Sequence, residues 1–227
     1  MKLPQRPYLA LFDMDGTLSP EISWNIVLKE FSVWEPNGRK NLEDFLSNRL
    51  PGRSKNEQYQ EFCRRDTELL IGKPYDQLIA IINKIPFHAN IKQLIEFLHD
   101  EVNANCIILS GGFIELAKRA SLLYNFDYFF ANEIKATENK INGDFVINVG
   151  WYDKKKIVKK IKEDLAIPKK NIIAFGDSTG DIGMFSEAEL SFSCFKAPKN
   201  VRDLASYHIN NFSEAIPRIR HYINSLN

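Results

Sequence analysis

Cysteine is scarce in this chain, long apolar runs are missing, and neither sign of charge is in excess. Three cysteines, Cys63, Cys106 and Cys194, stand far apart among 227 residues. An odd, scattered set argues against a disulfide framework and fits small buried apolar side chains in a reducing cytosol. No stretch of about 18 apolar residues occurs, which argues against a membrane-spanning helix. The opening MKLPQRPYLALF has neither a long apolar run nor a small-residue cleavage site, so no secretory leader is expected. Lys+Arg 30 against Asp+Glu 29 leaves a formal net charge of +1. No global field would therefore draw the chain to nucleic acid or to an anionic membrane. The expectation is a cytoplasmic protein with a small-molecule partner and no nucleic-acid or membrane partner; nothing in the sequence indicates an oligomeric state.

The periodicity that is present alternates between two kinds. Tyr8–Phe12, Cys106–Leu109, Ile172–Phe175 and Leu190–Phe192 are short apolar runs flanked by turn or polar residues, and read as buried strands. Between them Ile91, Leu94, Ile95 and Leu98 recur at helical spacing. So do Ile157, Val158, Ile161 and Leu165, with lysines opposite. Strands alternating with helices predict a doubly wound parallel α/β sheet. From about 19 to 86 only helix-like pieces occur, broken at Pro36-Asn37-Gly38 and Pro51-Gly52. This predicts a helical insert, residues 19–86, on a core of 1–18 and 87–227. Ile141-Asn142-Gly143-Asp144, between alternating residues, suggests a β-hairpin within Glu133–Val149.

The chemistry concentrates at strand ends. Asp13-Met14-Asp15-Gly16-Thr17 closes the first apolar run with two carboxylates and a glycine turn. An unpaired buried carboxylate is very costly, so two of them at a strand's carboxyl end call for a metal ion or a phosphate-bearing ligand. That end is also where ligands bind in open α/β sheets. Ser110-Gly111-Gly112 follows the second strand and offers a hydroxyl and open N–H groups, expected at a helix N-terminus. Lys154 opens a helix and can neutralise an anion, with Lys155 and Lys156 as competitors. Gly176-Asp177-Ser178-Thr179-Gly180-Asp181 supplies further hard oxygens suited to Mg²⁺. Together the set suits phosphoryl transfer, with a carboxylate able to act as nucleophile.

The order DxDGT, serine, lysine, GDxxxD resembles the haloacid dehalogenase (HAD) superfamily over about 8–18 and 86–215. The insert is similar to its type 1 helical cap. Within the superfamily the text Ser110-Gly111-Gly112-Phe113, Phe130-Ala131-Asn132, Lys154 with Ile157, and GDSTGD with Met184-Phe185 is similar to phosphoserine phosphatases. The resemblance implies a Mg²⁺-dependent phosphomonoester hydrolase with Asp13 as nucleophile and Asp15 as proton donor and acceptor. Asp15 would also lend its backbone carbonyl to the metal. Thr17, Ser110, Gly111 and Gly112 would surround the phosphate, and Lys154 would pair with Asp13. Asp13, Asp15, Asp177 and Asp181 would form the metal site. In the cap, Arg64 (with Arg65 as its rival) and Glu21 would hold a substrate's carboxylate and amino groups.

Trp24, Trp34, Phe45 and Tyr59 fit either an apolar pocket or core packing. His88 and His99 have no ligand spacing and read as structural or exposed. Two alternatives share the scaffold. One is a phosphatase for another small metabolite, such as a sugar, nucleotide or lipid-head phosphate. The other is a binding protein without turnover.

Overall fold

The structure, a computed structural model, describes residues 3–52 and 54–226. The elements run β1 (Tyr8–Phe12), α1 (Ser23–Glu30), α2 (Arg39–Leu46), α3 (Lys55–Glu68), α4 (Tyr75–Ile82), α5 (Ile91–Asp100), β2 (Ala104–Phe113) and α6 (Ile114–Tyr124). They continue with β3 (Tyr128–Thr137), β4 (Lys140–Val146), α7 (Lys154–Leu165), β5 (Ile172–Gly176), α8 (Ile182–Glu187), β6 (Leu190–Cys194), α9 (Lys199–Arg202), β7 (Tyr207–Ile209) and α10 (Ala215–Leu226). One seven-stranded sheet has the order β4-β3-β2-β1-β5-β6-β7. All pairings are parallel except β3 with β4.

β1 is apolar throughout because it is covered on both faces. Its alternate residues enter different cores. Ala10 and Phe12 join the cluster under α1, α4, α5, α6 and α10. Leu9 and Leu11 join the one under α7 and α8. Phe12, Phe175 and Phe192 stack across three neighbouring strands with centroids 4.5 and 4.9 Å apart. Each such buried ring contributes roughly 1.5–3 kcal/mol by removal from water. The chain leaves β1 for β2 on one side and returns to β5 on the other. The crevice at the carboxyl ends of these three strands is thus a topological switch point.

Two sequence expectations are corrected. The hairpin exists, but its turn is Glu138-Asn139, both at positive φ (50° and 62°), with Thr137 paired to Lys140. Asn142-Gly143 lies inside β4 instead. Gly143 has φ +96° there, and a Cβ would sit 3.0 Å from Ile71 Cδ1. The glycine serves the close approach of the 69–74 loop, not the reversal. Ser110-Gly111-Gly112 does not start a helix either. It lies within the extended β2, where the register against β3 shifts, and α6 begins at Ile114.

The 19–86 segment is helical, without a strand among the described residues. It is divided in its packing. Trp24, Val27, Leu28, Leu78, Ile81 and Ile82 of α1 and α4 belong to the main core. Phe45, Leu50, Tyr59, Phe62 and Cys63 form a separate small cluster around α2 and α3. α3 starts with a full capping box, Ser54 with Glu57. No helix among the described residues is long and apolar enough to cross a membrane. The three cysteines are free and buried.

Between α2 and α3, Asn41 Nδ2 donates to Asp66 Oδ1 at 2.8 Å. Burial pushes the Asp66 carboxyl up to about 7 against that hydrogen bond. A raised carboxyl favours folding most below its unfolded pKa and loses that contribution as pH rises through the folded value. Asp66→Asn is therefore expected to stabilise the protein at pH 8. The displacement is worth up to roughly 4 kcal/mol, offset by about 1–3 kcal/mol for the new amide donor. Urea denaturation should show the advantage shrinking from pH 8 to pH 5. A pH-independent difference would contradict this origin.

Candidate active site

The site begins where β1 ends. The Asp13 N–H donates to Phe175 O at 2.9 Å, which continues the β1–β5 ladder and carries the carboxylate past the sheet edge. The chain then turns at Gly16, with φ +87°. A Cβ there would fall 2.2 Å from Asp177 Oδ2. Only glycine lets the two acidic loops approach this closely. Across that gap Thr17 Oγ1 donates to Asp177 Oδ1 at 2.9 Å, so Thr17 holds an acid in place.

Asp15 points to the other side. Both its oxygens are occupied by Ser23, which donates from its N–H (3.0 Å) and its hydroxyl (2.9 Å) at the start of α1. Burial raises Asp15 to about 6 despite these bonds. Its proton is therefore exchangeable near neutrality, as acid–base work requires.

Lys154, the first residue of α7, is 5% exposed. Its Nζ donates to Asp13 Oδ1 and to Asp181 Oδ1, both at 2.5 Å. Lys155 and Lys156 are exposed. Burial opposes the charge on Lys154, but the two carboxylates prevail and hold its pKa above the ordinary lysine range. Asp13 moves up to about 7, first through burial and then through repulsion from Asp181, with Lys154 pulling the other way. The Asp181 side chain is fully engaged: its Oδ2 accepts from the N–H groups of Asp177 and Ser178 and from the Ser178 hydroxyl. Asp181 thereby shapes the loop that presents Asp177.

Ser110, Gly111 and Gly112 face these acids. Ser110 Oγ accepts from the Gly112 N–H at 2.9 Å. The Gly111 carbonyl accepts from Tyr59 of α3 (2.5 Å) and from Asn132 Nδ2 of β3 (2.9 Å). Asn132 Oδ1 in turn accepts from the Asn148 and Val149 N–H groups, both at 2.8 Å. A Cβ on Gly111 would stand 2.7 Å from the Tyr59 hydroxyl. Tyr59, Asn132 as a hub and Ser23 as the partner of Asp15 were not assigned these roles by the sequence. The position of Ser23 at the start of the first helix after the acidic turn was its only local signal.

A cavity of about 160 Å³ opens over this group. Asp13, Asp15, Ser110, Gly111, Gly112, Lys154 and Asp177 line one end of it. Trp24, Phe45 and Tyr59 line it as well, which supports the pocket reading for those three, together with Phe62 and Trp151. Trp34 is not among the lining residues; it packs against the main core. The indole N–H groups of Trp24 and Trp151 are buried without a partner.

Arg64 and Glu21 do not reach this cavity, contrary to the expectation for the cap. Arg64 lies on the outer face of α3, where it pairs with Glu61 (2.8 Å) and Glu68. Arg65 pairs with Glu61 at 2.7 Å. Glu21 lines a separate surface depression with Ile26, Lys29 and Lys84. The reason is helical phase: Tyr59, Phe62, Cys63 and Asp66 are the buried stripe of α3, and residue 64 lies off it. Arg64→Ala should therefore change kcat/KM by less than about twofold for every ester, as ordinary surface substitutions do. A selective loss on carboxylate-bearing esters would contradict this placement.

Carboxylate oxygens of Asp13, Asp177 and Asp181 lie within 4.8 Å of one another. Burial and the repulsion from Asp13 and Asp181 hold Asp177 well above the ordinary carboxylate range. Three clustered acids facing one lysine are under-compensated, and their hard oxygens suit a divalent cation. The donor set thus fits a metal. Asp181, with both oxygens occupied, fits the role of support better than that of ligand.

This constellation on a doubly wound sheet defines a hydrolase of the haloacid dehalogenase kind. Residues 10–186 match the haloacid dehalogenase-like hydrolase family, and the chain belongs to it. Among relatives, the chain is 29% identical over 208 residues to a probable phosphoserine phosphatase of Schizosaccharomyces pombe, covering 89% of this chain. It spans 65% of that relative's length. It is 24% identical over 197 residues to a phosphoserine phosphatase of Methanocaldococcus jannaschii, covering 86% of this chain and 89% of the relative. A solved structure of a phospho-aspartyl intermediate analogue of phosphoserine phosphatase superposes with TM-score 0.81 at 23% identity, covering 94% of this chain and 99% of the other.

Proposed function

We propose that the protein is a phosphoserine phosphatase-like, Mg²⁺-dependent phosphomonoester hydrolase that works through an aspartyl-phosphate on Asp13. The observation that carries this reading is the buried Lys154, shared between Asp13 and Asp181 beside Asp177 at the sheet switch point. Phosphoryl transfer needs positioning and charge compensation above all, and this arrangement supplies both. The names of the relatives add O-phospho-L-serine as the substrate to test first, and the solved phospho-aspartyl analogue of a relative supports the covalent route.

In the proposed reaction the free Asp13 oxygen attacks phosphorus while the ester P–O bond breaks. Asp15 gives its proton to the departing alkoxide. It then takes a proton from the water that attacks the phospho-enzyme, which releases phosphate and restores Asp13. Ser110 and the Gly111 N–H hold the phosphate oxygens, the Gly112 N–H orients the Ser110 hydroxyl, and Lys154 balances the charge. Mg²⁺, held by Asp13, Asp177 and the Asp15 carbonyl, would supply further charge neutralisation. The 19–86 segment acts as the cap, and Tyr59 ties it to the phosphate loop through Gly111.

A second reading of the substrate is favoured by the placement of Arg64 and Glu21 away from the cavity: another small phosphorylated metabolite. The test is phosphate release from a panel of phosphomonoesters, phosphoserine included, with Mg²⁺ and with excess chelator. Mg²⁺-dependent release is expected. No release from any ester would overturn the hydrolase reading and favour a binding role.

A further inference from the structure

We propose that the cavity selects phosphomonoesters whose alcohol is compact, uncharged and apolar, aromatic or branched, over esters carrying a carboxylate or an ammonium group. This deepens the phosphatase reading above and rests on it for turnover. Among the described residues, the charged side chains lining the cavity are Asp13, Asp15, Lys154 and Asp177, all at the phosphate end. Asp15 is occupied by Ser23, and Lys154 by Asp13 and Asp181. Ile22, Leu42, Phe45, Leu46 and Phe62 give the same cavity an apolar wall.

A carboxylate or ammonium group on the alcohol would lose its water against that wall and meet no partner. Such burial is strongly unfavourable. An apolar body gains instead from leaving water. The whole cavity is about 160 Å³, and the phosphate takes part of it, so the alcohol has to be compact.

Aromatic rings can also receive cations. Two of the lining rings already have one: Lys55 Nζ sits 3.9 Å from the Phe45 ring centroid and 6.0 Å from that of Trp151.

The deciding experiment compares benzyl phosphate, O-phospho-L-serine and choline phosphate. All three leave as primary alkoxides, so the comparison reads the pocket. With Mg²⁺, kcat/KM for benzyl phosphate should exceed the others by at least about tenfold, the scale of pocket discrimination between small side chains. In parallel, benzylphosphonate should change tryptophan fluorescence at lower concentration than a phosphonate analogue of serine. Leu46, 59% exposed at the cavity, allows a tolerated variant. Leu46→Arg should shift the preference toward phosphoserine. Phosphoserine or choline phosphate leading in the parent protein would overturn the inference and leave the phosphatase reading standing. An unmoved ratio in Leu46→Arg would also overturn it. If no ester is hydrolysed, the phosphatase reading falls. Preferential benzylphosphonate binding would then still support the selection, and its absence would end both.

Discussion

Asp13→Asn is expected to lower kcat by at least about 10⁴-fold while the protein remains folded. The magnitude is that of removing a nucleophile from a site that acts as a unit, where single losses cost about 10⁴–10⁶. An amide oxygen does not displace an alkoxide from phosphorus, so no phospho-enzyme forms. Folding is spared for a local reason. Asparagine keeps an oxygen for the Lys154 ammonium, which now donates to Asp13 at 2.5 Å. It also removes one of three buried acids that repel one another. The melting temperature without metal should therefore equal or exceed that of the parent. Steady-state rates together with intact-mass detection of a phosphorylated chain check the prediction. Turnover near that of the parent would sink the nucleophile assignment.

Lys154→Met should have the largest effect on stability. The ammonium is buried, and both its acceptors are buried carboxylates. Methionine fills similar volume but leaves Asp13 and Asp181 without their cation. Breaking a buried pair by removing one partner costs about 3–5 kcal/mol. For a chain of this size roughly 2–4 °C is lost per kcal/mol, so the melting temperature should fall by about 6–20 °C. Activity should fall as well, because in the proposed reaction the same ammonium balances the charge of the phosphate. The paired variant Lys154→Met/Asp181→Asn separates the causes. It should recover part of the stability, since one of the stranded acids is gone, and none of the activity. Calorimetry without metal and a phosphate-release assay read the two effects apart. Equal stability of Lys154→Met and the parent would contradict the charge balance proposed for the core.

These two variants probe the part of the protein that is legible in the sequence itself. Asp13, Asp15, Lys154 and Asp177 can be named there because their chemistry is tied to local backbone. Each stands at a strand end or a helix start, beside a glycine turn, and the sheet brings such ends together by topology alone. Tyr8–Phe12 reads as a strand because it is apolar at every residue, and β1, β2 and β5 meet because parallel strands are covered on both faces.

The rest depended on how helices and loops turn against one another. Arg64 looks like a cap residue by position, yet the stripe of Tyr59, Phe62, Cys63 and Asp66 faces inward and carries Arg64 to the surface. That stripe is visible in the sequence at helical spacing; what it faces is not. Asn142-Gly143 has the composition of a turn, but Ile71 packs over Gly143 and the reversal falls at Glu138-Asn139. The bonds of Ser23 to Asp15 and of Tyr59 to Gly111 join residues from different elements, at distances no local pattern encodes. By itself the sequence determined the sheet, the acidic and lysine chemistry, and the family. The tertiary structure decided which acids are paired, which helix face closes the cavity and how apolar that wall is. Side-chain direction follows from packing across elements, and packing is a property of the whole chain.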